Sequence, residues 1–185
     1  MTTTITHNPP FTELIDGSAY VFRGPDAEAE PFTMRIEDLA KQLSQINRFN
    51  GATHWPYSVA QHSVFVSTLL DVDPAWAIVG LFHDAHEAPI GDIVSPFKRA
   101  LGHSTAAVIN AHTNLADRVI FKAYGIQWPV DEQIRHAVHH ADMVALVTER
   151  RDLLVGKLDW KRELPPAHPT RIRKMKPEAA ASAFV

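Results

Sequence analysis

Residues 80–93, GLFHDAHEAPIGDI, begin with apolar side chains and continue into histidines and carboxylates. The apolar run 78–82 is typical of a buried helix, where an unpaired charge is disfavoured. His83, Asp84 and Glu87 nevertheless follow within five residues. Either the helix presents these side chains to a metal ion, or it is an amphipathic helix with its polar face in solvent.

The pattern on both sides of this stretch predicts a single all-α domain over residues 1–185, with its core at about 36–154. Asp73-Pro74 should begin the helix that carries the stretch, and Pro89 and Gly91 should end it. Further helices are predicted from Ile36 to about Ile46, from the N-cap Ser58 to about Leu70, over 104–124, from Pro129-Val130-Asp131 to about Leu154, and from Pro177.

The N-terminal part is predicted to be a small irregular or hairpin segment, because prolines and glycines interrupt it. The short apolar runs 20–22 and 32–34 are expected to pair around the acidic loop 24–30, GPDAEAE.

Composition narrows the class of protein. The chain has 185 residues and a net charge of −3, which gives no general reason to expect DNA or an anionic membrane as partner. It has no cysteine, so disulfides and zinc–thiolate sites are excluded. No secretory signal and no apolar run of about 20 residues is visible, so we expect a soluble cytoplasmic protein.

Two polar residues in other predicted helices extend the candidate site. His62 lies in SVAQHSVF and Asp142 in HHADMVALV, both among apolar neighbours. Taken alone, His62 could be a core histidine bonded to a backbone carbonyl, and Asp142 could pair with Arg150 or His139. The ordered set of His, His-Asp and Asp, each on a helix, favours a metal site instead. We place His86, His139 and His140 outside it.

This ordered set, His62, His83-Asp84 and Asp142, resembles that of the HD-domain superfamily of metal-dependent phosphohydrolases. More narrowly, RFNG, YSVAQHSVFVS and LFHDAHEAPIGDIVSPFK are similar to segments of the small bacterial and phage HD phosphohydrolases. That group includes 5′-deoxynucleotidases and deoxynucleoside triphosphate hydrolases. The resemblance runs from about Ile36 to Leu154 and implies an HD-domain helical bundle.

The resemblance implies a role for each matched residue. His62, His83, Asp84 and Asp142 would bind one divalent transition metal (Co, Mn, Zn, Ni or Fe), with an additional Mg²⁺ on the substrate phosphates as a further option. Glu87 and Asp92 would be catalytic acids, Glu87 acting on the attacking water.

Three residues would contact substrate. Arg48 and Phe49 match an Arg–aromatic pair, in which Phe49 stands where deoxynucleotidases more usually have Trp. Lys98 would neutralise phosphate charge. Alternatively, Asp92 caps a helix and Lys98 is a solvated surface residue.

The implied reaction is metal-dependent hydrolysis of a deoxynucleotide, by a triphosphohydrolase that releases triphosphate or by a 5′-deoxynucleotidase. One alternative is a phosphodiesterase or signalling-nucleotide hydrolase. Another is a non-catalytic nucleotide-binding module, and only the basic run 171–176, RIRKMK, favours nucleic acid. The resemblance also implies a homo-oligomer, either a dimer or a hexamer, with a small nucleotide as partner and no membrane.

Overall fold

A computed structural model describes residues 9–24, 28, 30–156, 158–160 and 163–185. This part of the chain is mostly helical, as predicted, with one small antiparallel sheet. In chain order the elements are strands β1 (Phe11–Glu13) and β2 (Ala19–Val21), helix α1 (Ile36–Leu43), a 3₁₀ turn (Arg48–Gly51), and helices α2 (Val59–Thr68), α3 (Pro74–Phe82), α4 (Glu87–Ile90), α5 (Ser95–Ala100), α6 (His103–Ala123), α7 (Glu132–Leu153) and α8 (Pro177–Phe184).

The N-terminal hairpin exists, but the predicted pairing is wrong. Strand β2 pairs with β1, with Phe11 opposite Val21, and residues 32–34 form no strand. The decisive signal is the turn between them: Gly17 has φ 82°, and the Asp16 carboxylate accepts hydrogen bonds from the Ser18 amide and hydroxyl. Residues 25–27 and 29 of the acidic loop lie outside the described residues.

Helices α2 and α3 form the centre of the core; α2 carries His62, and His83 directly follows α3. Ser58 caps α2 as predicted, since its hydroxyl accepts a hydrogen bond from the Gln61 amide. The two helices approach closely at Gly80, where a Cβ atom would lie 2.7 Å from the Leu70 side chain. Because glycine has no side chain, α3 can pack closely against α2 at this position.

The helix that carries residues 80–93 ends earlier than predicted. Helix α3 stops at Phe82, and residues 83–86 form turns before the short helix α4. His83 Nδ1 lies 2.7 Å from the Gly80 carbonyl oxygen. In an uninterrupted helix, this oxygen would accept a hydrogen bond from the amide of residue 84. Gly91, with φ 86°, ends α4 as predicted, whereas Pro89 lies within α4 and does not end a helix.

The two long helices and the C-terminal helix complete the core around α2 and α3. Helix α7 begins as predicted, with the Asp131 carboxylate accepting from the Gln133 amide, and packs against both α2 and α3. Helix α8 covers α1 and α2, and its Phe184 ring lies 5.5 Å from that of Phe82. Within the described ranges, no helix is both long and apolar enough to cross a bilayer.

Candidate metal centre

The four side chains proposed as ligands meet between α2, the turn after α3, and α7. The Nε2 atom of His62 lies 3.3 Å from His83 Nε2, 3.5 Å from Asp84 Oδ2 and 3.2 Å from Asp142 Oδ1. His83 Nε2 in turn lies 3.2 Å from Asp84 Oδ2. His62, His83 and Asp142 each offer a ligand atom within 4.8 Å of the others and could hold a metal ion.

These separations match those between the ligands of one small divalent cation. Ligand atoms about 2.0–2.2 Å from a tetrahedral metal lie about 3.3–3.6 Å from one another. The four distances given above, from 3.2 to 3.5 Å, lie at or next to this range.

The Nδ1 nitrogen of each imidazole already has a hydrogen-bond partner, so Nε2 is the nitrogen available to a metal. His62 Nδ1 lies 2.5 Å from Glu149 Oε1, and His83 Nδ1 lies 2.7 Å from the Gly80 carbonyl oxygen. Carboxylates and carbonyls only accept, so both Nδ1 atoms donate. In the neutral rings both Nε2 lone pairs then face each other and the acidic side chains, an arrangement that a cation stabilises.

The carboxylates around the two imidazoles raise the pKa of both rings. Burial lowers the pKa of His83, but the Asp84 and Asp142 carboxylates outweigh it and raise that pKa to about 9. Burial and Arg48 likewise lower the pKa of His62, yet Glu149 and Asp142 raise it overall. The carboxylates around the two imidazoles therefore favour positive charge at this position.

Glu149 belongs to the candidate site and was not predicted from the sequence. It is fully buried on α7, two turns after Asp142, and accepts from both His62 and the Arg48 guanidinium. Burial raises the pKa of Glu149, but Arg48 and His62 lower it overall, so the carboxylate is charged. The spacing of seven residues from Asp142 puts both acids on one helical face and could have revealed it.

Two simpler alternatives for the ligands are not what the structure shows. His62 does not bond to a backbone carbonyl through Nδ1, because Glu149 occupies that nitrogen. Asp142 pairs with His62, whereas Arg150 donates to the Leu158 carbonyl.

Arg48 lies inside the candidate site, where its guanidinium group pairs with two carboxylates of the chain. Its guanidinium donates to Asp84 Oδ2 and Glu149 Oε2, each at 3.2 Å. Burial lowers the pKa of Arg48, but Glu149 and Asp84 raise it well above the usual value. Arg48 thus balances the charge of two site carboxylates, a role beyond the predicted contact with substrate.

The loop that delivers Arg48 has a strained backbone. Phe49 and Asn50 have φ values of 55° and 51°, in the left-handed region that non-glycine residues rarely adopt. The Arg48 amide donates to the Tyr57 carbonyl at 2.9 Å, which closes the loop. The half-buried Phe49 ring lies 5.6 Å from the Arg48 guanidinium.

Glu87 lies buried at the start of α4 with an unused oxygen. Its Oε2 atom is buried and has no hydrogen-bond partner among the described residues. Burial raises the pKa of Glu87 well above its usual range, and the Asp84 and Asp92 carboxylates add to the effect. Such a carboxyl group is suited to taking up and returning a proton.

Asp92 and Lys98 lie at the edge of the same group. Burial and the Asp84 carboxylate raise the pKa of Asp92. Arg48 and the half-buried Lys98 lower it, but less strongly, so the pKa is raised overall. Asp92 does not cap helix α5, whose N-cap residue is Val94.

His86 is nearer to the site than predicted. Asp84, His86 and Glu87 offer ligand atoms within 4.8 Å of one another, a second group that could hold an ion. His86 Nδ1 lies 2.9 Å from Asp117 Oδ1 on α6. The sequence separates His86 from Asp117 by 31 residues, so this pairing had no local signal.

Two curated proteins similar to this chain carry names that state no activity. The uncharacterized protein YfdR of Escherichia coli (strain K12) is 42% identical over 118 residues, which are 64% of this chain and 60% of that protein. An uncharacterized protein of Rhodobacter capsulatus is 30% identical over 133 residues, 66% of this chain and 64% of the relative. The chain thus spans less than two thirds of either relative. No protein-family model matches it.

Proposed function

We propose that the chain is a metal-dependent phosphohydrolase of the HD-domain type that acts on deoxynucleotides. The observation that carries the proposal is the convergence of two oriented Nε2 lone pairs with Asp84 and Asp142, next to a buried Glu87 that has a free oxygen. Binding of a metal alone would not require that additional acid.

His62, His83, Asp84 and Asp142 would hold one divalent ion, with Co, Mn, Zn, Ni or Fe compatible with this ligand set. When bound, such a cation polarises a phosphoryl oxygen and lowers the pKa of nearby water. An additional Mg²⁺ would accompany the substrate phosphates, and Glu87 is kept for the proton transfer and not assigned to that ion.

The chain's own residues would do the remaining work. Glu87 would take a proton from the attacking water and return it to the departing nucleoside oxygen, while the water oxygen bonds to phosphorus and the bond from phosphorus to the nucleoside oxygen breaks. Lys98 offsets negative charge on the phosphate, and Arg48 keeps the neighbouring carboxylates balanced. Asp92, close to Glu87, helps to hold the Glu87 proton through its charge.

The test is incubation of the purified protein with Co²⁺ or Mn²⁺ and each of the four common dNTPs and four dNMPs, with products resolved by chromatography. Triphosphate plus deoxynucleoside would identify a triphosphohydrolase, and phosphate released from monophosphates alone a 5′-deoxynucleotidase. No turnover of either class, with metal bound, would overturn the proposal and leave the phosphodiesterase and the binding module.

A further inference from the structure

A cavity of about 490 Å³ reaches the candidate metal centre at His83. His83 forms part of its wall, together with residues of α3, α6, α7 and the connection between α6 and α7. Its volume lies within the range of about 300–1,000 Å³ typical of small-molecule sites.

Helix α7 links the cavity to the ligands in one continuous stripe. Val138 and Arg135 line the cavity and lie four and seven residues before Asp142. These spacings put all three on one helical face. At 1.5 Å per residue, the cavity extends about 6–10 Å from Asp142 toward the beginning of α7.

The wall chemistry fits a flat aromatic group. Trp128 and Phe121 line the cavity, and their rings pack edge to face with centroids 5.5 Å apart. The exposed side chains of Arg118 and Arg135 lie at its rim, where guanidinium groups can stack on a ring or attract an anion. Asn114 adds an amide that can both donate to and accept from a heterocycle.

We propose that this cavity binds the base and sugar of the substrate, with Trp128 as the aromatic contact; this rests on the function proposed above. A phosphate at the metal centre leaves the rest of a nucleotide to extend past His83 along α7, into the space that these side chains surround. Phe49 does not line this cavity, so the base would contact Trp128 rather than Phe49.

The experiment compares a deoxynucleotide with deoxyribose 5-phosphate, which has no base, on the metal-loaded protein. Asn114→Trp fills the cavity from its exposed rim, and Lys122→Trp, an exposed position on the same helix outside the cavity, is the matched control. We expect Asn114→Trp to raise KM for the nucleotide about tenfold or more, in line with the loss of one base–aromatic contact. KM for deoxyribose 5-phosphate should rise much less than KM for the nucleotide, because that substrate has no base to lose.

Trp128→Ala should reproduce the effect and Trp128→Phe should largely restore the nucleotide KM. Calorimetric titration with the free deoxynucleoside provides a readout independent of turnover, and binding should be weaker in Asn114→Trp than in Lys122→Trp. Equal KM values for the nucleotide in all variants would overturn the cavity inference while leaving the hydrolase intact.

The two proposals can fail separately. If the protein hydrolyses no phosphate ester but binds deoxynucleosides in a manner that Asn114→Trp abolishes, the cavity inference stands and the hydrolase falls. If Asn114→Trp instead changes only the sedimentation coefficient, without effect on KM or nucleoside binding, the cavity is an interface between copies and the inference is overturned.

Discussion

The Nδ1 atom of His62 lies 2.5 Å from the carboxylate of Glu149, and both residues are fully buried. This contact fixes which nitrogen of His62 carries the proton and turns Nε2 toward His83 and Asp142. A carboxylate behind a histidine in this way orients the ring and raises its basicity toward a metal. Glu149 therefore supports the candidate metal centre without contacting the ion position.

Replacement of Glu149 by Gln should weaken metal binding while leaving all four ligands in place. The amide oxygen can still accept from His62, but the negative charge that makes the ring more basic is lost. We expect about a 10–100-fold rise in the dissociation constant for Co²⁺, measured by equilibrium titration. Glu178→Gln, at an exposed position on α8, is the control; equal affinities for the two variants would contradict the assigned role.

Replacement of Glu87 by Gln should separate catalysis from metal binding. Turnover should fall by about 10²–10⁴-fold, because the side chain can no longer take up a proton, while the bound metal per chain stays the same. Since burial and nearby carboxylates raise the pKa of Glu87, the neutral amide should leave the thermal midpoint unchanged or higher. Turnover equal to that of the unmodified protein would remove Glu87 from the mechanism.

Replacement of Arg48 by Met should destabilise the protein. The change leaves the buried carboxylates of Asp84 and Glu149 without their shared partner. Loss of one member of a buried ion pair costs about 3–5 kcal/mol, measurable by urea denaturation, and Co²⁺ should restore part of this by neutralising Asp84. Arg35→Met, which removes an exposed pair with Asp38, should cost less than about 1 kcal/mol. Equal losses would refute the internal role of Arg48.

Acid should weaken the attachment of the C-terminal segment through Asp152. Hydrogen bonds from Arg151, Arg171 and the Ile172 amide hold the pKa of this carboxyl well below its usual range. A lowered pKa means that the contribution to stability is complete above the unfolded value of about 3.9 and is lost as the pH falls further.

Asp152→Asn should therefore lower the thermal midpoint at pH 7 and speed tryptic cleavage within residues 171–176. The difference from the unmodified protein should shrink below about pH 4. Asp71→Asn, at an exposed position, provides the comparison. A difference that persists undiminished at low pH would show that the Asp152 charge is not responsible.

The sequence predicts the helices and the four converging side chains because these depend on local signals. Ser58 and Asp131 cap helices at the positions where their residue types and the following apolar periodicity indicate. His62 and Asp142 stand out because each is a polar residue among apolar neighbours on a helix. Buried polar residues of this kind usually require a partner, and here they are each other's partners.

The incorrect or absent predictions have physical causes that the local sequence pattern does not show. Helix α3 ends at Phe82, where the His83 side chain bonds to the Gly80 carbonyl, a contact that hydrophobic periodicity does not register. The β1 strand was missed because its partner is chosen by the Asp16-Gly17 turn. Arg48 and Glu149 lie 101 residues apart in sequence, and only tertiary packing brings their charges together.

The metal centre is tested most directly by a titration of the metal-free protein with Co²⁺, recording the number of ions bound tightly per chain. We expect at least one ion per chain in the unmodified protein, and a loss of at least about tenfold in affinity in both His83→Asn and Asp142→Asn. His140→Asn, on the exposed face of α7, should bind as the unmodified protein does. No tight binding, or binding that neither ligand variant weakens, would contradict the metal centre and the hydrolase built on it.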